Sequence, residues 1–273
     1  MTHRPIVGED LDQLLAMLKL KACLASYQQL AQSCEKEKRS YGDFLYELML
    51  IEHEQRQQKR TAQLIKHAKL PRDKLLSDFD MSRIPGLSAT QVQQLAAGDF
   101  MERCGNILIF GNPGTGKSHL SIALAREWCL IGRKVKFFTA ASLVQLLLQA
   151  KADLQLNQLI KRLDVFEVLI IDDISYVPFE KHETDVLSTL LAARYEMRSV
   201  MITSNLSFSK WDKIFKDKMT TNAAIDRLVH HGIILELNAP SYRAECAENN
   251  KKLAQKHNKK DSNKNSKKGD RMK

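Results

Sequence analysis

The sequence predicts an α/β fold, a parallel sheet flanked by helices, with a small all-helical domain in front of it. Three observations predict it. The apolar run Asn106-Ile107-Leu108-Ile109-Phe110 leads into Gly111-Asn112-Pro113-Gly114-Thr115-Gly116-Lys117-Ser118 and then into a helical pattern, so strand, glycine loop and helix follow one another. A second run, Val168-Leu169-Ile170-Ile171, is apolar at every position, as suits a central parallel strand, and ends in Asp172-Asp173. Between and beyond them, short β-rich runs alternate with helical patterns, as parallel strands joined by crossovers require.

In chain order, Leu11, Leu14, Leu15, Leu18, Leu24 and Leu30 recur at helical spacing and predict a first helix from 11 to about 30. Ser40 followed by Asp43 resembles a capping box opening a second helix through Phe44, Leu48 and Ile51 to about Ala68, with Pro71 as its stop. After Ile51 that helix turns charged (Glu52, His53, Glu54, Arg56, Lys59, Arg60), which reads either as a solvated face or as an arm for a partner or DNA. Residues 69–100 form a connector with a short helix over 89–97. In it, Phe79 reads equally as the lining of a base pocket and as an anchor.

Gly132 ends the helix after the glycine loop; 134–139 alternates as a strand, and 142–149 and 154–163 are helical. A helix over 183 to about 196 precedes a strand over 200–203, which delivers Ser204-Asn205 at its end. Trp211 and Phe215 then alternate with Lys210, Lys213, Lys216 and Lys218, a mixture that suits DNA contact or packed aromatics with solvated lysines. A helix over 223–230 carries Arg227, a strand follows at 233–237, and Ser241-Tyr242-Arg243 opens a last helix. The expected domains are 1–68 (helical), 69–248 (sheet and connector) and a tail, 249–273.

The glycine loop has a definite chemistry. Without side chains at 111, 114 and 116, successive N–H groups can turn inward around a polyphosphate at the positive end of the following helix. Lys117 then reaches the β- and γ-phosphates of a nucleoside triphosphate, and Ser118 offers the hydroxyl that ligates Mg²⁺; with His119, residues 111–119 are the candidate ATP contacts. Asp172 orients the Mg²⁺ shell and Asp173 is placed to polarise an attacking water. Asn205 lies beyond the carboxyl end of a strand, where ligands of parallel sheets sit, and suits a water or the γ-phosphate. Arg227 and Arg243 are candidates because γ-phosphate cleavage gains from an added cation, in cis or from a neighbouring subunit.

Composition narrows the setting. A chain of 273 residues, 44% hydrophobic, buries one sizeable core plus a small accessory unit. No apolar run approaches the ~20 residues of a membrane span and no signal pattern opens the chain, so a cytoplasmic protein without a membrane partner is expected. Cys23, Cys34, Cys104, Cys129 and Cys246 form no CxxC pair, which argues against a disulfide framework or a cysteine zinc site. Of the net +10, the tail from Asn249 carries +8, ten Lys and Arg against Asp261 and Asp270. With almost no apolar side chains it reads as a polyanion-binding segment or a solubility tail.

Taken in order, GNPGTGKSHL, VLIIDDISYVP, MITSNLSFSKW, AAIDRLVHH and SYR resemble the IstB-type transposition helper ATPases, which stand beside the DnaC helicase loaders in the initiator and loader clade of AAA+ proteins. The likeness runs from about Leu11 to Arg243 and omits the tail. It implies an AAA+ fold, with Lys117 and Ser118 as Walker A, Asp172 and Asp173 as Walker B and Asn205 as the polar sensor. It also implies Arg227 as an arginine finger given to the adjacent subunit and Arg243 as the second sensor. Asn112 stands where the family usually has proline, and Ser175 where it usually has glycine. The family further implies ATP-dependent homo-oligomers on double-stranded DNA that recruit and stimulate a cognate transposase. A replicative helicase loader is the alternative with the same engine. A metabolic P-loop kinase would instead need an acceptor lid, where this chain has arginines placed like oligomer fingers.

Overall fold

The computed structural model describes residues 8–70, 74–175, 179–214 and 218–245. Pro71, Phe215, Lys216, Cys246 and the tail from Asn249 lie outside the described residues, as do the side chains of Lys213 and Lys218. The chain divides into two compact units, Met1–Leu64 and Ile65–Lys273.

The first unit is helical: α1 (Gly8–Met17), α2 (Lys21–Lys36) and α3 (Tyr41–Ala68) up to Leu64. Leu15, Cys23 and Leu48 are its buried centre, surrounded by Leu11, Leu20, Leu24 and Phe44. The single helix expected over 11–30 is two helices. Lys19 takes the left-handed conformation (φ 58°), Leu20 N–H donates to Leu15 O (2.9 Å) and Lys19 N–H to Ala16 O (3.0 Å), the double closure of a Schellman end. That position usually holds glycine; with lysine there, the periodicity gave no sign of the break.

The charged run of α3 is also not uniformly solvated. Glu52 is only 6% exposed and accepts the Ala22 and Cys23 N–H groups at 2.8 and 3.2 Å, capping α2, whose own Leu20 offers no side-chain cap. Burial opposes its ionisation, but the hydrogen bonds from Arg56 and the two N–H groups outweigh it and hold the carboxyl below its usual range. The Ser40–Asp43 capping box is present, with Asp43 N–H donating to Ser40 Oγ and Ser40 N–H to Asp43 Oδ2, both at 3.1 Å.

In the second unit a five-stranded parallel sheet runs in the order β2-β3-β4-β1-β5, from β1 (Asn106–Gly111), β2 (Val135–Thr139), β3 (Val168–Asp172), β4 (Ser199–Ser204) and β5 (Gly232–Leu237). The helices are α4 (Ala89–Ala97), α5 (Lys117–Leu130), α6 (Ala140–Ala152), α7 (Leu156–Leu163), α8 (Lys181–Arg194) and α9 (Lys218–Val229). Leu108, Phe110, Leu169, Ile171, Val200 and Ile202 share one cluster with residues of α6 and α8. By the two-residue period of a strand, Ile107, Ile109, Ile170 and Met201 point to the other face, and α5 packs against β1, β2 and β4. All four are fully buried, which is why the strands read as continuous apolar runs.

Two features prepare the site. The sheet aligns the carboxyl ends of its strands on one edge, and β1 lies between β4 and β5, so the chain crosses over to reach β2. Trp211 is fully buried, its ring 5.1 Å from Phe208 and its Nε1–H donating to Leu206 O at 3.1 Å. Of the two readings of the basic-aromatic stretch, Trp211 therefore belongs to packing. Among the described residues, no helix is long and apolar enough to cross a membrane, and Cys23, Cys34, Cys104 and Cys129 are free thiols.

Candidate functional site

The carboxyl edge of the sheet opens into a cavity of about 610 Å³, lined among others by Thr115, Lys117, Ser118, Asp173, Asn205 and Arg243. The loop between β1 and α5 is closed tightly around its glycines. Gly114 (φ 83°) and Gly116 (φ 98°) are left-handed, and a Cβ on them would run into Ser241 Oγ and meet Phe79 Cε2 at 2.9 Å. Tyr242 N–H donates to Gly114 O (3.0 Å), so the segment before Arg243 lies directly on the loop.

Lys117 is nine-tenths buried. Its Nζ donates to Gly111 O (2.7 Å) and Asn112 O (2.9 Å), and an ammonium has a third proton left for a phosphate oxygen. Burial lowers its pKa, with Asp173 and then Asp172 opposing that and Arg243 adding to it. Asn112 acts here through its carbonyl, which also accepts from Thr115 Oγ1 at 2.9 Å; that contact needs no proline.

The carboxylates form one hydrogen-bonded chain. Ser118 Oγ donates to Asp172 Oδ1 (2.9 Å), Thr203 Oγ1 donates to the same oxygen (2.6 Å), and Thr203 Oγ1 accepts from Asp173 N–H (2.8 Å). Asn205 Nδ2 donates to Asp173 Oδ1 (2.9 Å), while Asn205 N–H donates to Ser175 Oγ (2.7 Å), a contact glycine at 175 would lack. Asp173 itself is left-handed, φ 60°. Its pKa is raised by burial and by Asp172, against Lys117, Arg243 and the Asn205 hydrogen bond. Thr203, fully buried, is the residue that sequence reasoning missed: a threonine ending a strand reads only as a β-former.

The connector contributes as well. Phe79 lines the cavity, contacts Gly116 and stacks edge-on against His119 with ring centroids 5.4 Å apart; lining and anchoring are here the same act. His119 Nε2 lies 2.8 Å from Leu75 O, tying α5 to that connector. Arg83 carries its guanidinium 4.9 Å over the Tyr242 ring and pairs with Glu245 at 2.6 Å.

Arg227 is not part of this gathering. It lies on α9 beside the opposite edge of the sheet, where its carbonyl approaches Asn106 Nδ2 (3.5 Å) and it lines a small hollow with Tyr195, Arg194 and Arg198. Lys117, Ser118, Asp172, Asp173, Asn205 and Arg243 thus meet, and Arg227 stands away from the cavity of its own chain. For the metal, the donors at hand, Ser118 Oγ and the Asp172 carboxylate, are oxygens already within hydrogen-bond distance of each other, a set that fits a hard cation such as Mg²⁺.

Residues 13–250 match the family model described as IstB-like ATP binding protein. The chain is 39% identical over 246 residues to a putative insertion sequence ATP-binding protein of Sinorhizobium fredii, covering 90% of this chain and 83% of that one. It is 34% identical over 234 residues to the insertion sequence IS21 putative ATP-binding protein of Pseudomonas aeruginosa, covering 86% and 88%. Among solved structures, the DnaC helicase loader (TM-score 0.50, 16% identity, 60% of this chain and 96% of that one) and AMPPCP-bound DnaA from Aquifex aeolicus (TM-score 0.52, 19% identity, 62% and 51%) share its AAA+ fold.

Proposed function

Since the chain belongs to the IstB-like ATP-binding family of insertion sequences, we propose that it is an Mg²⁺-dependent ATPase whose nucleotide state governs assembly on double-stranded DNA and recruitment of a cognate transposase. The observation that carries the hydrolytic part is the unbroken link Ser118–Asp172–Thr203–Asp173–Asn205 beneath the glycine loop. Loop N–H groups and the Lys117 ammonium hold the β- and γ-phosphates. Ser118 and Asp172 hold Mg²⁺, which when bound offsets the phosphate charge. Asp173, kept in place by Asn205, orients and polarises the attacking water. Arg243, on the segment that rests on Gly114, adds a cation at the cavity wall.

Arg227, remote from its own cavity, serves the site of an adjacent subunit, so turnover requires an oligomer. With no helix-turn-helix or zinc-finger pattern, DNA contact is to the backbone and independent of sequence. The +8 tail contributes to it electrostatically.

Duplex affinity measured across a salt series, with and without a non-hydrolysable ATP analogue, tests this reading. Affinity should depend on the analogue, be indifferent to sequence and rise further with the transposase present. If about half of the tail cations engage, deleting residues 249–273 should lower the log–log salt slope by ~4 to 5. DNA affinity that ignores the nucleotide would overturn the switch.

A further inference from the structure

Outside the nucleotide cavity, we propose that Glu196, His230 and His231 form a site for a borderline divalent transition ion of the zinc class. One ligand atom from each lies within 4.8 Å of the others, and all three side chains are exposed. Glu196 belongs to the turn between α8 and β4, and the two histidines to the turn between α9 and β5. Because β4 and β5 flank β1 in a parallel sheet, both turns arrive at its amino edge.

The backbone under the cluster is held firmly. His231 O accepts Asn106 N–H at 3.0 Å and His230 N–H donates to Asp226 O at 3.0 Å. Glu196 occupies the left-handed region, φ 58°, in a turn closed by Met197 N–H and Arg198 N–H on Arg194 O (3.0 and 2.9 Å). The imidazole rings lie 4.1 Å apart, centroid to centroid. Tyr195 Oη lies 2.9 Å from His230 Nδ1; when Nδ1–H donates to it, Nε2 carries the lone pair a metal takes. Such an outer partner is what orients metal-binding histidines.

Two imidazoles and a carboxylate supply three ligands of a four-coordinate ion, with water as the fourth. Imidazole nitrogen selects zinc-like ions over Mg²⁺ and Ca²⁺, which separates this site from the all-oxygen set at Ser118 and Asp172. Bonds of ~2.1 Å in a tetrahedron put ligand atoms about 3.4 Å apart, a closure that exposed side chains reach by changing rotamer. A bound ion would fasten the two turns together, three residues after Arg227.

The test uses the full-length chain with any tag removed, stripped of metal and kept in excess Mg²⁺ to saturate oxygen sites. Titration with Co²⁺ should give one equivalent with the visible bands of tetrahedral coordination, displaced by Zn²⁺. The melting temperature should climb with the logarithm of Zn²⁺ concentration. The His230→Ala/His231→Ala double variant should lose at least about 100-fold in affinity, and Glu196→Gln should weaken binding while keeping the side-chain size. Absence of one-to-one binding, or an unchanged affinity in both folded variants, would overturn the proposal.

Discussion

The two edges of the sheet are built on opposite principles. At the carboxyl edge, backbone without side chains makes room: left-handed Gly114 and Gly116 leave a cradle in which burial lowers the pKa of Lys117 and raises that of Asp173, each charge partly offsetting the other's shift. At the amino edge, two buried side chains, Asn106 and Arg194, bond backbone groups of neighbouring elements. Asn106 Oδ1 accepts Val200 N–H at 2.9 Å and its Nδ2 donates to Leu228 O at 3.2 Å. Arg194, 1% exposed, spreads its guanidinium over the carbonyls of Leu163, Phe166, Glu167 and Ser199, and burial pushes its pKa down to about 10. One edge opens around its polar groups as a cavity, and the other turns Asn106 and Arg194 inward to hold the fold. Arg227, on the second edge, is useful to chemistry only if another subunit brings a first edge to it.

The contrast can be broken most severely at Lys117. Lys117→Ala should abolish ATP binding, since the charge facing the β- and γ-phosphates goes, whereas Asp173→Ala should bind ATP and turn it over slowly. Equilibrium binding and steady-state hydrolysis separate the two; full turnover in both would remove the site from this edge.

Next in size is the crossing between edges. Arg227→Ala should keep ATP affinity and lose turnover by ~10³-fold or more. Mixed with Lys117→Ala, it should recover part of the rate at composite interfaces. No recovery in demonstrably mixed oligomers would return Arg227 to the fold-keeping edge.

A change confined to the amino edge should act on stability first. Asn106→Ala leaves Val200 N–H and the Leu228 carbonyl without their partner, an expected cost of about 1–3 kcal/mol. Denaturant unfolding measures it, with ATP affinity per folded molecule unchanged. A drop in affinity without loss of stability would mean that the edges are not separable.

The smallest expected effect is a pH shift. A carboxyl whose pKa is raised loses its charge, as pH falls, at a higher pH than an ordinary aspartate. Turnover that needs the Asp173 carboxylate therefore has its acid limb above the usual aspartate range. The Asn205 hydrogen bond lowers that pKa, so Asn205→Ala should move the acid limb of kcat/KM further up in pH. A limb that stays in place would separate Asn205 from Asp173 in function.

How much of this was legible depends on how local each signal is. The glycine loop, Asp172-Asp173 and the boundaries of α4 (Ala89–Ala97) could be read directly, because a turn, a buried strand end and a capped helix each announce themselves within about ten residues. Asn205 could be placed from its position after a strand. Thr203 could not: its hydroxyl matters only because β3 and β4 are neighbours, which brings it to Asp172 and Asp173 across 31 and 30 positions. Glu52 was hidden for the same reason, since its carboxylate caps a helix 30 residues earlier. The break at Lys19 was hidden differently, by a left-handed lysine where glycine would have marked the stop.

By itself, the sequence determined the α/β class, the glycine loop between a strand and a helix, and the acids that end a buried strand, because backbone freedom at glycine and the apolar run before Asp172 are properties of neighbouring residues. Only the tertiary structure decided that Thr203 joins the two acids, that Phe79 presses on Gly116, that Arg227 faces away from its own cavity and that Glu196 meets His230 and His231. Those are consequences of strand order: a parallel sheet sends every loop to one of two edges. Which residues share an edge follows from the crossovers, a property that no stretch of the chain carries alone.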